Sequence, residues 1–109
     1  MKLLIAGSRS ITSFDLSPYI PADADLIITG GAKGVDTLAE AYAKERGIPT
    51  LTIKPFYEKY GRAAPILRDE EMVDLADAVL VIWDGTSRGS KHTADYAHKK
   101  GKPLTVVTV

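Results

Sequence analysis

An α/β fold with a parallel sheet is what this 109-residue sequence predicts, and three observations predict it. Short apolar runs rich in Ile, Val and Leu recur at residues 2–6, 25–29, 50–53, 78–82 and 104–107. They alternate little between apolar and polar, which suits strands buried on both faces of a parallel sheet. Stretches with helical spacing lie between them, and alternating strand and helix is the pattern of parallel strands joined by crossovers. With 45% apolar residues, the chain supports a single domain over 1–109 with a real core.

The first run opens the chain. Residues 1–6 look superficially like a signal peptide, but the apolar stretch stops at Gly7-Ser8-Arg9 and no small-residue cleavage site follows, so it reads as a first strand. The link over residues 10–22 contains two prolines and reads as irregular, with at most a short helix. Strand two ends in Gly30-Gly31-Ala32-Lys33-Gly34-Val35-Asp36. Val35, Leu38, Ala39, Tyr42 and Arg46 then fall at helical spacing, and Gly47 with Pro49 ends that helix. After strand three, Ile66, Val73 and Ala76 mark the buried stripe of a second helix that starts near residues 61–65. Strand four leads into Asp84-Gly85-Thr86-Ser87-Arg88-Gly89-Ser90. Ser90 is the predicted cap of a last helix that carries Thr93, Ala94 and Ala97 and ends at Gly101-Lys102-Pro103.

Composition narrows function by exclusion. The absence of cysteine removes disulfides, thiolate catalysis and zinc–cysteine sites, and fits a cytoplasmic protein. The longest apolar run, 78–83, is far too short to span a membrane. Fourteen basic residues balance fourteen acidic ones, so nothing draws the whole chain to nucleic acid or an anionic membrane. An acidic stretch (Asp69, Glu70, Glu71, Asp74, Asp77) and a basic one (Lys91, Lys99, Lys100, Lys102) read as solvated helix faces. His92 and His98 lack the spacing and carboxylate partner of a metal site, so no metal and no cofactor is expected.

Ligands of parallel sheets sit beyond the carboxyl ends of the strands. Three such ends carry Gly7-Ser8-Arg9, the glycine turn at 30–34 and the loop at 84–90, and their convergence is the argument for a binding site. Glycines let the backbone turn tightly and a ligand approach its amides, and a helix N-terminus favours an anion, phosphate above all. Neither GxxxxGK[ST] nor GxGxxG is present. Arg9 is placed to make bidentate bonds to phosphate or carboxylate. Lys33 is most simply a solvated loop lysine, and pairing with a phosphate is its second reading. Asp36 complements the dipole of its helix, and accepting a hydrogen bond from a ribose hydroxyl or base is its second reading. The 84–90 loop, with its hydroxyls and glycine amides, is at least as much an anion nest as a plain connection. Trp83 reads as core at a strand end, with stacking on a base as the minority reading.

Taken in order, Gly7-Ser8-Arg9, the segment 30–36, Arg68 with Met72 and Ala76-Asp77-Ala78, and Asp84-Gly85 with Ser87-Arg88-Gly89-Ser90 resemble the SLOG superfamily of Rossmann-like proteins. The likeness covers nearly the whole chain and is closest to the YspA-like branch. It implies a three-layer fold with a five-stranded parallel sheet in the order 3-2-1-4-5. It also implies a nucleotide-like small-molecule ligand and self-association, with residues near Pro55, Phe56, Tyr57 and Tyr60 as an interface or a lid. Residues and resemblance together give the candidate ligand contacts: Gly7, Ser8, Arg9, Gly30, Gly31, Ala32, Lys33, Gly34, Asp36, Arg68, Asp84, Gly85, Ser87, Gly89, Ser90 and Thr93. In DprA-like relatives a matching glycine segment and arginine help to bind nucleic-acid phosphate. In the LOG phosphoribohydrolases an arginine placed before a methionine as Arg68 is before Met72 belongs to the active site. The LOG glutamate falls on Thr93, which cannot supply a carboxylate for N-glycosidic hydrolysis. Asp69 stands where asparagine is common, and sets a negative charge beside Arg68. The expectation is a small nucleotide-binding sensor. A hydrolase or transferase acting at the ribose, and a DprA-like single-strand binder, are the alternatives.

Overall fold

Strands without a polar face need cover on both sides, and the three central strands receive it. β1 (Lys2–Gly7), β2 (Leu26–Thr29) and β4 (Ala78–Trp83) form the middle of one parallel sheet, with β3 (Thr50–Thr52) and β5 (Leu104–Thr108) at its edges. The strand order is β3-β2-β1-β4-β5, and the computed structural model describes residues 1–109. The register sets Leu3 beside Ile27 and Ala78, and Leu4 beside Ile28 and Val79. Successive side chains point to opposite faces, so two separate cores form. On one face Leu3, Ile5, Ile27, Leu80 and Ile82 pack with Val35, Ala39 and Ala43 of α1 (Val35–Arg46). On the other, Leu4, Ala6, Ile28, Val79 and Val81 pack with Met72 and Val73 of α3 (Ala64–Leu75) and Ala97 of α4 (Arg88–Lys99). A single helical turn, α2 (Tyr57–Tyr60), precedes α3. The result is a three-layer α/β Rossmann-like fold.

Residues 10–22 hold just one short 3-10 turn, Ser17–Tyr19, as expected, and Ile11 and Leu16 plug the α1-side core. Elsewhere the structure corrects the reading. Every residue of β3 and three of the five in β5 are exposed, because the helices pack on the central strands and an edge strand has one neighbour. Ile66, expected on a buried stripe, is 46% exposed. Helix α3 begins at Ala64 with Pro65 in its first turn, and its inward row is Ala64, Arg68, Met72 and Val73. That rotation carries an arginine into the protein. No helix is long and apolar enough to cross a membrane.

The charged stretches are more than solvated faces. Glu70 Oε2 lies 2.9 Å from His92 Nε2, so His92 has a carboxylate partner after all. Tyr96 donates its hydroxyl to Asp74 at 3.0 Å, the Lys2 amide donates to Asp77 at 2.7 Å, and Lys102 Nζ donates to the Ala76 carbonyl at 2.7 Å. These bonds tie α3 to α4 and to the sheet. Helical spacing alone does not reveal them, since each partner lies far off in sequence.

Candidate functional site

The glycine turn after β2 is filled by the protein itself. A Cβ on Gly30 would lie 2.6 Å from Arg68 Nη1, and one on Gly31 would lie 2.8 Å from the Thr52 methyl. One on Gly34 would lie 2.4 Å from the Ser8 carbonyl oxygen. Three of the turn's amides are spent: Gly31 donates to Thr29 Oγ1 at 3.0 Å, Ala32 to Asp36 Oδ2 at 3.1 Å and Val35 to the Ser8 carbonyl at 3.3 Å, while those of Lys33, Gly34 and Asp36 donate to no protein atom. The space that the sequence offered to a phosphate, and part of the donors, serve internal packing. The anion at the start of α1 is its own Asp36 carboxylate.

Arg68 reaches this turn from α3. It is 8% exposed, and its Nη1 donates to the Gly30 carbonyl at 2.9 Å and to the Ile53 carbonyl at 3.3 Å. Its Nε donates to Asp69 Oδ1 at 2.7 Å. Asp69, which the resemblance marked as a departure, is thus the direct ion-pair partner of the arginine. Burial pushes the Asp69 carboxyl above the ordinary aspartate range, against the pull of Arg68. Burial raises Asp36 as well, opposed by the Ala32 amide and by Arg68. Two carboxylates with raised pKa therefore flank one guanidinium.

The loop after β4 is organised differently. Asp84 accepts from the Thr86 and Ser87 amides at 2.9 and 2.8 Å, from Thr86 Oγ1 at 3.2 Å and from Ser10 Oγ at 2.7 Å. Trp83 Nε1 donates to the Ser87 carbonyl at 2.9 Å, which fixes the indole and the loop together. The cap of α4 is Ser87, not Ser90: the helix starts at Arg88, and Ser87 Oγ accepts from the Ser90 amide. Ser90 sits in the first turn with its Oγ 3.2 Å from that of Ser87. The amides of Arg88 and Gly89 also donate to no protein atom, so the N-terminus of α4 is open at this edge of the sheet.

The four donors hold Asp84 well below the ordinary aspartate range, the Thr86 amide first, then the Ser10 hydroxyl and the Ser87 amide. A lowered folded-state pKa contributes stability that is present above the unfolded value, about 3.9, and lost as pH falls through the folded one. Asp84→Ala is therefore expected to lower the melting temperature at neutral pH and to flatten the loss of stability below about pH 4. Thermal melts of both proteins across that range check it; an unchanged acid limb would mean that Asp84 does not organise the loop.

These pieces meet in one cleft of about 410 Å³ at the carboxyl ends of β1 and β4. Of the expected residues, Gly7, Arg9, Ala32, Asp36 and Arg68 line it, and so do Asp84, Ser87, Gly89, Ser90 and Thr93. Ser8, Gly30, Gly31, Lys33, Gly34 and Gly85 do not. Ser8 is fully buried, and its Oγ accepts from the Asp84 amide at 2.9 Å, linking the two strand ends. Lys33 is exposed on the turn. Thr93 is buried and donates to the Gly89 carbonyl at 3.0 Å. Ser10, Pro65, Asp69 and Met72 also line the cleft and were not among the candidates. Ser10 directly follows the Arg9 strand end, and Asp69 and Met72 lie on the arginine-bearing helix, the signals that would have included them.

The match of known families falls on one side of this cleft. The family described as YspA, cpYpsA-related SLOG family matches residues 18–60, less than half of the chain. Those residues carry β2, the glycine turn, α1, β3 and α2, while Arg68 and the α4 loop lie outside the match. No curated protein matches the chain. Over those residues the chain is similar to the YspA-related SLOG family, and its parallel sheet has the order 3-2-1-4-5 that the resemblance implied.

Proposed function

We propose that the protein is a small binding module or sensor for a nucleotide or a nucleotide-derived phosphate ligand, held in the cleft between the α1, α3 and α4 ends. The observation that carries this reading is the α4 entrance. Gly89 with its unpartnered amide, at the positive end of a twelve-residue helix, and Arg9 both line the cleft. The volume is of the size that takes a small ligand. Three carboxylates, Asp36, Asp69 and Asp84, stand in the same cleft against Arg9 and Arg68, which disfavours a long polyanionic strand. One observation favours a reaction at the ribose as second reading: burial raises Asp36 and Asp69 above the ordinary aspartate range, the direction in which a carboxyl becomes a better general acid.

Thermal-shift and calorimetric screening with nucleoside mono- and diphosphates, dinucleotides, cyclic nucleotides and ADP-ribose tests both readings. A ligand at a hundred times its Kd is expected to raise the melting temperature by on the order of 10 °C. No shift with any of them would overturn the binding reading. The same mixtures, followed for release of free base, decide between a module that binds and one that hydrolyses.

A further inference from the structure

We propose that the Arg68 wall of the cleft, formed with Asp36 and Asp69, reads the hydroxyl pair of a sugar, a vicinal diol such as that of ribose, and not a phosphate. The proposal rests on the nucleotide reading above and reverses the role that the resemblance implied for Arg68.

The protein spends most of this cluster on itself and leaves two atoms over, with a third shared. Arg68 uses Nη1 on two carbonyls and Nε on Asp69, so Nη2 has no protein partner. Asp36 uses Oδ2 on the Ala32 amide and leaves its second oxygen unspent, while Asp69 uses Oδ1 on Arg68 and shares the Thr93 hydroxyl with the Gly89 carbonyl. No sealed side-chain nitrogen or oxygen lacks a partner, so Arg68 Nη2 and the second Asp36 oxygen are open rather than entombed, on residues that line the cleft. Asp36 and Arg68 converge over Gly30, where an added Cβ would lie 3.0 Å from Asp36 Oδ2 and 2.6 Å from Arg68 Nη1.

Charge and hydrogen-bond chemistry then choose the occupant. One guanidinium between two carboxylates leaves the wall net negative, and a phosphate would add further negative charge to it. A fully ionised phosphate also accepts and does not donate, so it leaves the carboxylates unanswered. A hydroxyl does both. Two neighbouring hydroxyls donate one bond to each carboxylate and accept from Nη2. Asp36 is 7% exposed, so its free oxygen is costly to leave without a donor once a ligand displaces water. The phosphate of the same ligand goes to the α4 entrance, at the Gly89 amide and Arg9.

Calorimetric titration with ribose 5-phosphate, the four ribonucleoside 5′-monophosphates and their 2′,3′-dideoxy counterparts tests this on the whole chain. The wild-type protein is expected to bind the diol-bearing ligand at least roughly tenfold more tightly than its dideoxy counterpart. Asp36→Asn, checked for folding by its melting curve, is expected to lose most of that ratio, and Asp69→Asn provides the same readout should the first variant fail to fold. Equal binding of ribo and dideoxy ligands would overturn the diol reading and leave nucleotide binding standing. Binding of none of these ligands, nor of the dinucleotides, cyclic nucleotides and ADP-ribose named above, would overturn both.

Discussion

Replacing Gly34 by alanine is expected to remove about 4 kcal/mol of stability, a large part of what a domain of this size possesses. Gly34 precedes α1 with φ 75° and ψ −125°, a region that side-chain-bearing residues avoid. A Cβ there would stand 2.4 Å from the Ser8 carbonyl oxygen and 2.6 Å from that of Arg9. Neither oxygen can retreat cheaply, since the Ser8 carbonyl accepts the Val35 and Ile11 amides and Ser8 itself is fully buried. Gly47→Ala supplies the contrast. Gly47 also has positive φ, 68°, but nothing lies within 4 Å of its added Cβ, so about 1 kcal/mol is expected there. Urea unfolding of the two variants measures the difference. Equal losses would show that the close approach of Gly34 to the β1 end contributes nothing.

The contrast between those glycines shows where sequence reasoning succeeds and where it stops. Central strands buried on both faces produce apolar runs without alternation, so β1, β2 and β4 announce themselves, and the strand ends that border the cleft follow from them. The edge strands carry the same kind of run, Thr50 to Thr52 and Leu104 to Thr108, yet stay largely exposed, because cover is a property of the layers above. The two glycine-bearing loops also look alike in sequence. Which amides of the first are taken depends on Thr29 Oγ1, the Asp36 carboxylate and the Ser8 carbonyl, partners set by tertiary structure. Ser87 and Ser90 are equally good cap residues by type, and the φ of −60° and ψ of 122° at Ser87 decide between them. Arg68 could be singled out by its spacing to Met72, but its burial follows from the start of α3 at Ala64, which turns the row of 64, 68 and 72 inward.

Replacing Arg68 by methionine is expected to cost about 3–5 kcal/mol near neutral pH and distinctly less in mild acid. Methionine keeps the unbranched stem that packs within α3 and removes the guanidinium, so the loss is mainly polar and electrostatic. The Gly30 and Ile53 carbonyls lose a shared donor, and Asp36 and Asp69 lose the positive charge between them. Both carboxyls already lie above their ordinary range through burial. A carboxyl raised in the folded state weakens folding at pH above its folded pKa, and that penalty vanishes as pH falls below the unfolded value, about 3.9. Without Arg68 both groups rise further, so the penalty grows at neutral pH and the gap between variant and wild type narrows on acidification. Urea unfolding at about pH 7.5 and pH 4.5 reads that narrowing. Adding Asp69→Asn to the methionine variant is expected to recover part of the loss, because the double change leaves no unpaired charge at that position. Parallel stability curves at the two pH values, with no recovery in the double variant, would mean that Arg68 holds the turn by its carbonyl bonds alone. The diol-reading wall would then lose its electrostatic basis, while the phosphate wall at α4 would be untouched.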